Sequence, residues 1–171
     1  YTIASPAADV LYQFDAQGRH LRTRHALTGT VLYEFGYAGA GRLISVTEKT
    51  GGIDNVTQIQ RDGAGQPTAI VGPFGQVTEL EVDANGFIDH IENPMNEVHA
   101  ATYTAGGLMQ SFTQPGNRTS AYQYETDGRL KQADDAADGT QLLSRTELAS
   151  GHQVARTTAL GRTTQYRVEN P

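Results

Sequence analysis

The sequence predicts an all-β fold, a repeat array of stacked antiparallel β-hairpins that form a curved sheet. The first observation is a glycine-bearing turn that follows an aromatic strand, best seen in Phe35–Val46. The second is its period, because the last glycine of each copy falls at positions 18, 41, 65, 86, 107, 128 and 151. The third is that no helical pattern of useful length occurs. The best helical candidate is Thr140–Ala149. Such units bury their faces only by stacking on one another.

Composition excludes several classes of protein. The 171 residues carry a net charge of −6, which argues against nucleic acid as a partner. The chain has no cysteine, which removes disulfides and thiolate metal sites. No apolar run approaches the ~18 residues of a membrane span. Because the chain starts at Tyr1 with a repeat under way by Val10, we interpret it as an excised piece of a longer protein.

Residues 1–9 are interpreted as a lead-in, and residues 10–171 as about seven repeats, the last of them degenerate. Positions are counted from the anchoring glycine of each repeat. Position −6 holds Tyr12, Phe35, Ile59, Leu80, Ala101, Tyr122 and Arg145, and position −4 holds Phe14, Tyr37, Arg61, Val82, Tyr103, Tyr124 and Glu147. Residues two apart on a strand share a face. One face of the sheet should therefore carry a repeated stripe of tyrosine, phenylalanine and aliphatic side chains.

The turn of each repeat has its own chemistry. An aspartate or glutamate stands at position −3 in Asp15, Asp62, Asp83 and Glu125. Such a carboxylate accepts backbone N–H bonds two residues on, and the glycine allows a positive φ. We assign a structural role in the turn to Asp15, Asp62 and Asp83 and to the glycines Gly18, Gly41, Gly65, Gly86, Gly107 and Gly128. The arginines that follow, Arg19, Arg42 and Arg129, are expected to pair with a carboxylate of a neighbouring unit.

The second strand of each repeat has apolar residues at positions +2 and +5, as in Leu43 with Val46 and Ile88 with Ile91. A spacing of three does not fit one face of a regular strand. Either a β-bulge intervenes or both faces of the strand are covered. The sequence leaves this choice open. A second turn, rich in Pro, Gly and Asn, then leads to the next repeat.

The unit Tyr–Asp–x–x–Gly–Arg–Leu, with a Pro–x–Gly turn before the next unit, resembles the RHS, or YD, repeat. Tyr124–Leu130 and Phe35–Val46 match best, along with Phe14–Arg19 and Tyr103–Pro115. The likeness covers roughly residues 10–168. Some units depart from the pattern, at Phe14, Arg61, Val82, Ala38, Thr104 and around Gly151.

The resemblance implies β-hairpin strips that spiral into a hollow shell. In bacterial polymorphic toxins of this family the shell encloses a C-terminal toxin, and in teneurins a related barrel supports cell adhesion. The implied function is a non-catalytic segment of shell wall that encapsulates and delivers a toxin. Its partners would be the remainder of its own shell and the toxin, and its location secreted or at the cell surface of a bacterium, through a dedicated secretion system.

No residue pattern points to catalysis, a cofactor or a metal. The five histidines, His20, His25, His90, His99 and His152, lack metal-ligand spacing and are expected to be ordinary surface residues. Asp134, Asp135 and Asp138 lie together in one loop, for which turn stabilisation is the favoured interpretation. We therefore predict that the chain is not an enzyme.

The alternative function is a carbohydrate-binding or cell-adhesion module. Aromatic rings on a sheet face can stack on sugar rings, and the candidates are Tyr12, Tyr37, Tyr103, Tyr122 and Tyr124. The competing interpretation, which we favour, is that these rings pack between adjacent hairpins, with each hydroxyl reaching water or a neighbour. The open first and last strands of such an array also favour self-association through their edges.

Overall fold

The structure is a computed structural model that describes residues 1–49 and 51–169. All of the regular structure in these residues is β, which confirms the predicted fold class. Residues 140–148 of the best helical candidate, Thr140–Ala149, form strand β14, so the structure does not place a helix there. The strands are β1 Thr2–Ala4, β2 Val10–Phe14, β3 His20–His25, β4 Val31–Tyr37, β5 Leu43–Lys49, β6 Asp54–Arg61, β7 Pro67–Val71, β8 Val77–Val82, β9 Ile88–Glu92, β10 Val98–Tyr103, β11 Met109–Gln114, β12 Arg118–Tyr124, β13 Leu130–Asp134, β14 Thr140–Leu148, β15 Gly151–Thr158 and β16 Thr163–Glu169.

The sixteen strands form one sheet whose order follows the chain from β1 to β16. By its contacts the chain divides into two compact units. The first unit comprises Tyr1–Glu81 with Glu92–Met95, and the second comprises Val82–Ile91 with the chain from Asn96 onward. The predicted lead-in contributes β1, which pairs with β2. The last two residues of the predicted repeat region, 170 and 171, lie outside the described residues.

The sheet buries little of its surface. Among the described residues the buried apolar side chains are Ala69, Leu80 and Ala101, and no large side chain is less than 2% exposed. The tyrosines, phenylalanines and aliphatics at positions −6 and −4 are mostly half-buried. Stability in such a sheet comes from contacts between neighbouring strands, each worth about 0.2–1 kcal/mol. Contacts that recur from repeat to repeat therefore decide how firmly the array holds together.

A β-bulge lies in the second strand of the repeat, and it resolves the choice that the sequence left open. In the first repeat Gln13 pairs with Arg22 but Phe14 pairs with His20, so Leu21 at position +3 is the extra residue. The same shift occurs at position +3 of the repeats anchored by glycines 41, 65, 107 and 128. The extra residue brings positions +2 and +5 onto one face, together with positions −4 and −6. The bulge hypothesis is confirmed.

The turn before the bulge has one hydrogen-bond pattern in the first six repeats. In the first repeat the Gly18 amide donates to the Asp15 carbonyl at 3.3 Å, and the Asp15 amide donates to the Arg19 carbonyl at 3.0 Å. The anchoring glycines of these six repeats have φ between 75° and 86°, a conformation that costs other residues ~1–2 kcal/mol. The Asp15 carboxylate accepts from the backbone amides of Gln17 and Arg19, both at 2.9 Å. Asp83 accepts equivalent bonds from the amides at positions 85 and 87.

The seventh anchor, Gly151, does not form this turn. Gly151 pairs with Leu148 as the first residue of β15, so a two-residue turn closes that hairpin. The five-residue turn occurs instead at residues 158–162, where the Gly161 amide donates to the Thr158 carbonyl at 2.8 Å and Gly161 has a φ of 73°. The division of the chain into seven units stays a prediction.

The missing side chain of the anchoring glycine makes room for the preceding repeat. A Cβ placed on Gly107 would lie 2.8 Å from the ring of Phe87, which is at position +1 of the repeat before. Leu108 stands in the same relation to Gly128, at 3.6 Å. At Gly65 the position of a Cβ coincides with the guanidinium group of Arg42. The glycine is thus needed for its small size as well as for its φ.

The expected pairing of the turn arginines with a neighbouring carboxylate is wrong. Arg19 pairs with Asp15 of its own turn at 2.6 Å, and Arg129 pairs with Asp127 of its own turn. Arg42 does reach the next repeat, but its Nη1 donates to the backbone carbonyl of Ala64 at 3.4 Å. Because each arginine side chain starts beside its own turn, the carboxylate within that turn is the nearer partner.

We predict that Gly107→Ala lowers the free energy of unfolding by roughly 2–4 kcal/mol. The alanine is strained at a positive φ, and its Cβ clashes with the Phe87 ring. Urea denaturation of the 171-residue chain measures the change. The matched control is Gly106→Ala, where a Cβ has only the Thr104 hydroxyl at 3.9 Å near it and the change should stay below about 1 kcal/mol. Equal effects of the two substitutions would contradict the role given to Gly107.

Candidate functional site

The candidate site is the face that carries positions −6, −4, +2 and +5, here named the tyrosine face. It holds all five tyrosines of the carbohydrate-binding hypothesis. Tyr12 and Tyr37 lie in the first unit, and Tyr103, Tyr122 and Tyr124 lie in the second. Tyr122 and Tyr124 line one open groove of ≈590 Å³. The five tyrosines are thus distributed along the sheet, and this groove brings together two of them, Tyr122 and Tyr124.

The tyrosines at position −4 share one contact, here named the hydroxyl clamp. Each donates its hydroxyl to the backbone carbonyl of the residue at position +2 of the preceding repeat. The three clamps run from Tyr37 to the His20 carbonyl at 2.9 Å, from Tyr103 to the Ile88 carbonyl at 2.8 Å and from Tyr124 to the Met109 carbonyl at 2.7 Å. The acceptor directly precedes the bulged residue, where the ladder of the sheet is disrupted.

Arg61 makes the same contact in the third repeat. Its Nη2 donates to the carbonyl of Leu43, which is at position +2 of the second repeat, at 3.2 Å. Its Nη1 donates to the carbonyl of Gly65 at 3.1 Å, while its Nε is buried without a hydrogen-bond partner. The substitution of arginine for tyrosine therefore preserves the link between repeats. Phe14, at the same position of the first repeat, has no donor and stacks on Tyr1 with 5.2 Å between ring centroids.

His20 belongs to the tyrosine face, so the expectation of an ordinary surface histidine is wrong for this residue. Its ring is half-buried, with centroid distances of 4.2 Å to Phe35, 5.0 Å to Phe14 and 5.6 Å to Tyr12. The prediction failed because His20 occupies position +2. Only the bulge shows that this position shares a face with positions −4 and −6.

Two of the five candidate tyrosines stand at position −6 and make no clamp. Among residues 1–49 and 51–169, no hydrogen bond involves the hydroxyl of Tyr12 or Tyr122. Both rings are half-buried, and Tyr12 packs edge-on against His20. These two hydroxyls remain available to water or to a ligand.

The opposite side of the sheet, here named the polar face, carries charged and hydroxyl side chains. In the first unit Arg22, Glu34, Lys49 and Asp54 form a chain of ion pairs, with N–O distances of 2.9, 3.0 and 2.7 Å. Lys49 and, less strongly, Arg22 hold the pKa of Glu34 below its usual value. In the second unit Thr102 bonds Ser111 at 2.7 Å and Thr113 bonds Thr119 at 2.9 Å. Exposed ion pairs of this kind add little to the stability of the sheet.

The turn carboxylate of Asp83 has the protonation behaviour of a structural acceptor. The backbone amides of Phe87 and then Asn85 hold the pKa of Asp83 below its ordinary value. A general acid at neutral pH needs the opposite shift. Within the described residues, no three His, Asp or Glu side chains come close enough to share a metal ion. No helix in that part of the chain is long and apolar enough to cross a membrane.

Comparison with known proteins identifies the family. The family model described as Teneurin YD-shell matches residues 1–170. The chain belongs to the teneurin YD-shell family. This membership confirms the resemblance to RHS, or YD, repeat proteins that the turn motif indicated.

Relatives within the teneurin YD-shell family are much longer than this chain. Teneurin-4 of Mus musculus is 40% identical over 76 residues, which are 44% of this chain and 3% of that protein. Teneurin-1 of Gallus gallus is 42% identical over a segment with the same coverage. The aligned segment therefore corresponds to only a small part of either protein.

Solved structures show the same fold in toxin-complex proteins. The crystal structure of TcdB2–TccC3 superimposes with a TM-score of 0.60 at 16% identity, over 94% of this chain and 10% of that chain. The Photorhabdus luminescens Tc holotoxin pore gives a TM-score of 0.59 at 16% identity, over 94% of this chain and 9% of that chain. At this identity the comparison establishes the fold alone.

We predict that Tyr124→Phe lowers the free energy of unfolding by about 1 kcal/mol, because it removes one hydrogen bond and leaves the Met109 carbonyl without it. Tyr122→Phe is the matched control on the same strand, and it should change stability by less than ~0.5 kcal/mol. Chemical denaturation of both variants measures the difference. Indistinguishable stabilities would contradict a stabilising role for the hydroxyl clamp.

The lowered pKa of Asp83 gives a pH prediction with a defined sign. A carboxyl whose pKa is lower in the folded chain contributes stability above its unfolded pKa, ~3.9, and loses it as the pH falls through the folded value. The stability difference between the wild type and Asp83→Asn should therefore be constant near neutral pH and shrink at acidic pH. Denaturation at a series of pH values tests this. A difference that does not change with pH would contradict it.

Proposed function

We propose that the chain is a non-catalytic structural segment of a YD-repeat shell that encapsulates and delivers a C-terminal toxin. Its partners are the remainder of its own shell and the enclosed toxin. We place the whole protein outside the cell or at the cell surface, released from a bacterium by a dedicated secretion system. The described residues supply sheet area and strand-to-strand continuity, which are what a wall requires.

The observation that carries this proposal is the use made of the tyrosine hydroxyls. Tyr37, Tyr103 and Tyr124 donate to backbone carbonyls of the repeat before them. These groups serve the continuity of the sheet, as the packing interpretation of the stripe requires. Asp15 and Asp83 likewise accept backbone amides of their own turns.

Limited proteolysis of the full-length native protein tests encapsulation. Digestion is followed by intact-mass analysis before and after denaturation. We expect a C-terminal fragment that withstands protease in the native protein and is degraded once the shell is unfolded, because the wall excludes protease. The isolated C-terminal fragment, treated with the same protease, is the control.

The encapsulation proposal fails if no separate C-terminal fragment is found, or if that fragment is digested as fast inside the native protein as it is alone. Buffers that unfold the fragment but leave the shell folded sharpen the test. Protection that persists in such buffers must come from the wall.

The second candidate function is carbohydrate binding on the tyrosine face. The half-buried rings of Tyr12 and Tyr122, whose hydroxyls make no hydrogen bond within the described chain, favour it. One glycan class should then quench tyrosine fluorescence saturably, and Tyr122→Ala should reduce the effect. Val168→Ala, a change on another strand, is the control. No quenching across a broad glycan panel would rule this function out.

Self-association of the isolated chain through β16 is a further part of the proposal. All seven residues of β16 are exposed, and β16 is the last strand in the sheet order. Such an edge offers unpaired backbone groups to another strand. Sedimentation should show concentration-dependent dimers that disappear when Gln165 is replaced by proline. A monomer at all concentrations would contradict this.

A further inference from the structure

A cavity of ≈430 Å³ lies on the tyrosine face beside the turn of the sixth repeat. Ligand pockets in proteins have volumes of about 300–1,000 Å³. The lining combines apolar side chains with charged ones, among them Leu130, Leu143, Val154, Glu125, Arg129 and Arg145. All of these residues belong to the second unit. Neither the shell function nor the hydroxyl clamps account for this cavity.

Strand pairing shows which residue stands at the clamping position here. In the sixth repeat Ala121, three residues before the clamping tyrosine, pairs with Ser111 at position +4 of the repeat before. In the second and third repeats, too, the residue three before the clamping residue pairs with position +4 of the repeat before. On the next strand the equivalent pair is Gln132 with Leu142. Arg145, three residues after Leu142, therefore takes the place of the clamping tyrosine.

Arg145 does not clamp, because Glu147 holds it. Its Nε and Nη2 bond the two carboxylate oxygens of Glu147 at 2.5 and 3.2 Å. Arg61 stands at the equivalent position of the third repeat, where the residue two positions later is Gly63 and offers no carboxylate. Arg61 is therefore free to reach the carbonyl of the preceding repeat. Within residues 1–49 and 51–169, no side chain donates to the carbonyl of Leu130, which is the corresponding acceptor. The cavity lies next to this acceptor.

We propose that this cavity binds a tyrosine side chain presented by a partner polypeptide. The ring would lie against Leu130 and Leu143, and its hydroxyl would donate to the Leu130 carbonyl. Tyr124 makes this contact one repeat earlier, so the fold already accommodates a phenol in that setting. The guanidinium groups of Arg129 and Arg145 suit the face of an aromatic ring, as Arg19 does over Tyr37 with 5.5 Å to the centroid. This inference goes beyond the proposed function and does not depend on it.

Two probes that differ only in the hydroxyl test the proposal. N-acetyl-tyrosinamide and N-acetyl-phenylalaninamide are titrated into the ¹⁵N-labelled 171-residue chain. We expect the amide resonances of Leu130, Ser144 and Val154 to shift saturably with the tyrosine probe at millimolar concentration. The phenylalanine probe should bind about fivefold more weakly, since it lacks one hydrogen bond. Equal affinities, or no shift of these resonances, would overturn the proposal.

Two substitutions connect the binding to this cavity. Arg145→Tyr supplies an internal clamp and should abolish binding of the probe. Glu147→Ala, an exposed change, releases Arg145 toward the Leu130 carbonyl and should weaken binding at least about threefold. The matched control is Glu169→Ala, because Glu169 pairs with Arg167 at the same two-residue spacing on β16, at 3.1 Å. Unchanged binding in both test variants would overturn the proposal.

Discussion

The left-handed glycine at the end of each turn is the constraint on which the other repeated features depend. Its positive φ closes the five-residue turn and leads into the strand where the bulge occurs at position +3. The bulge then brings four positions of the repeat onto one face. Its lack of a side chain also admits the +1 residue of the preceding repeat, as Phe87 shows against Gly107. One residue thus serves the turn, the register and the contact between repeats.

The contacts between repeats matter because the sheet has almost no fully buried core. The apolar side chains at positions −6 and −4 are mostly half-buried, so hydrophobic burial contributes less to stability than it would between two packed layers. The hydroxyl clamp, with its Arg61 equivalent, compensates with a contact that links the second, third, fifth and sixth repeats each to the one before. Its acceptor is a backbone carbonyl, which any residue at position +2 supplies. Arg61 can therefore replace tyrosine without loss of the link.

The sequence predicted the features that depend on local chemistry. The all-β class and the turns of the first six repeats follow from glycine and aspartate, which act within a few residues. Features that depend on the neighbouring strand could not be predicted in the same way. A single bulged residue changes which side chains share a face, so His20 was assigned to the surface. The predicted partners of Arg19 and Arg129 were wrong because the sequence does not give the distance between neighbouring turns. The repeat period pointed to Gly151, so it did not indicate that the last five-residue turn lies at residues 158–162.

A double-mutant cycle at Gly107 and Phe87 is the most direct test of coupling between repeats. The cost of Gly107→Ala is measured by chemical denaturation in the wild type and in Phe87→Ala. If the glycine is needed partly to admit Phe87, the cost should fall by at least about 1 kcal/mol when the ring is absent, leaving mainly the cost of the positive φ. Additive effects of the two substitutions would show that the glycine acts only within its own turn, and would contradict the account.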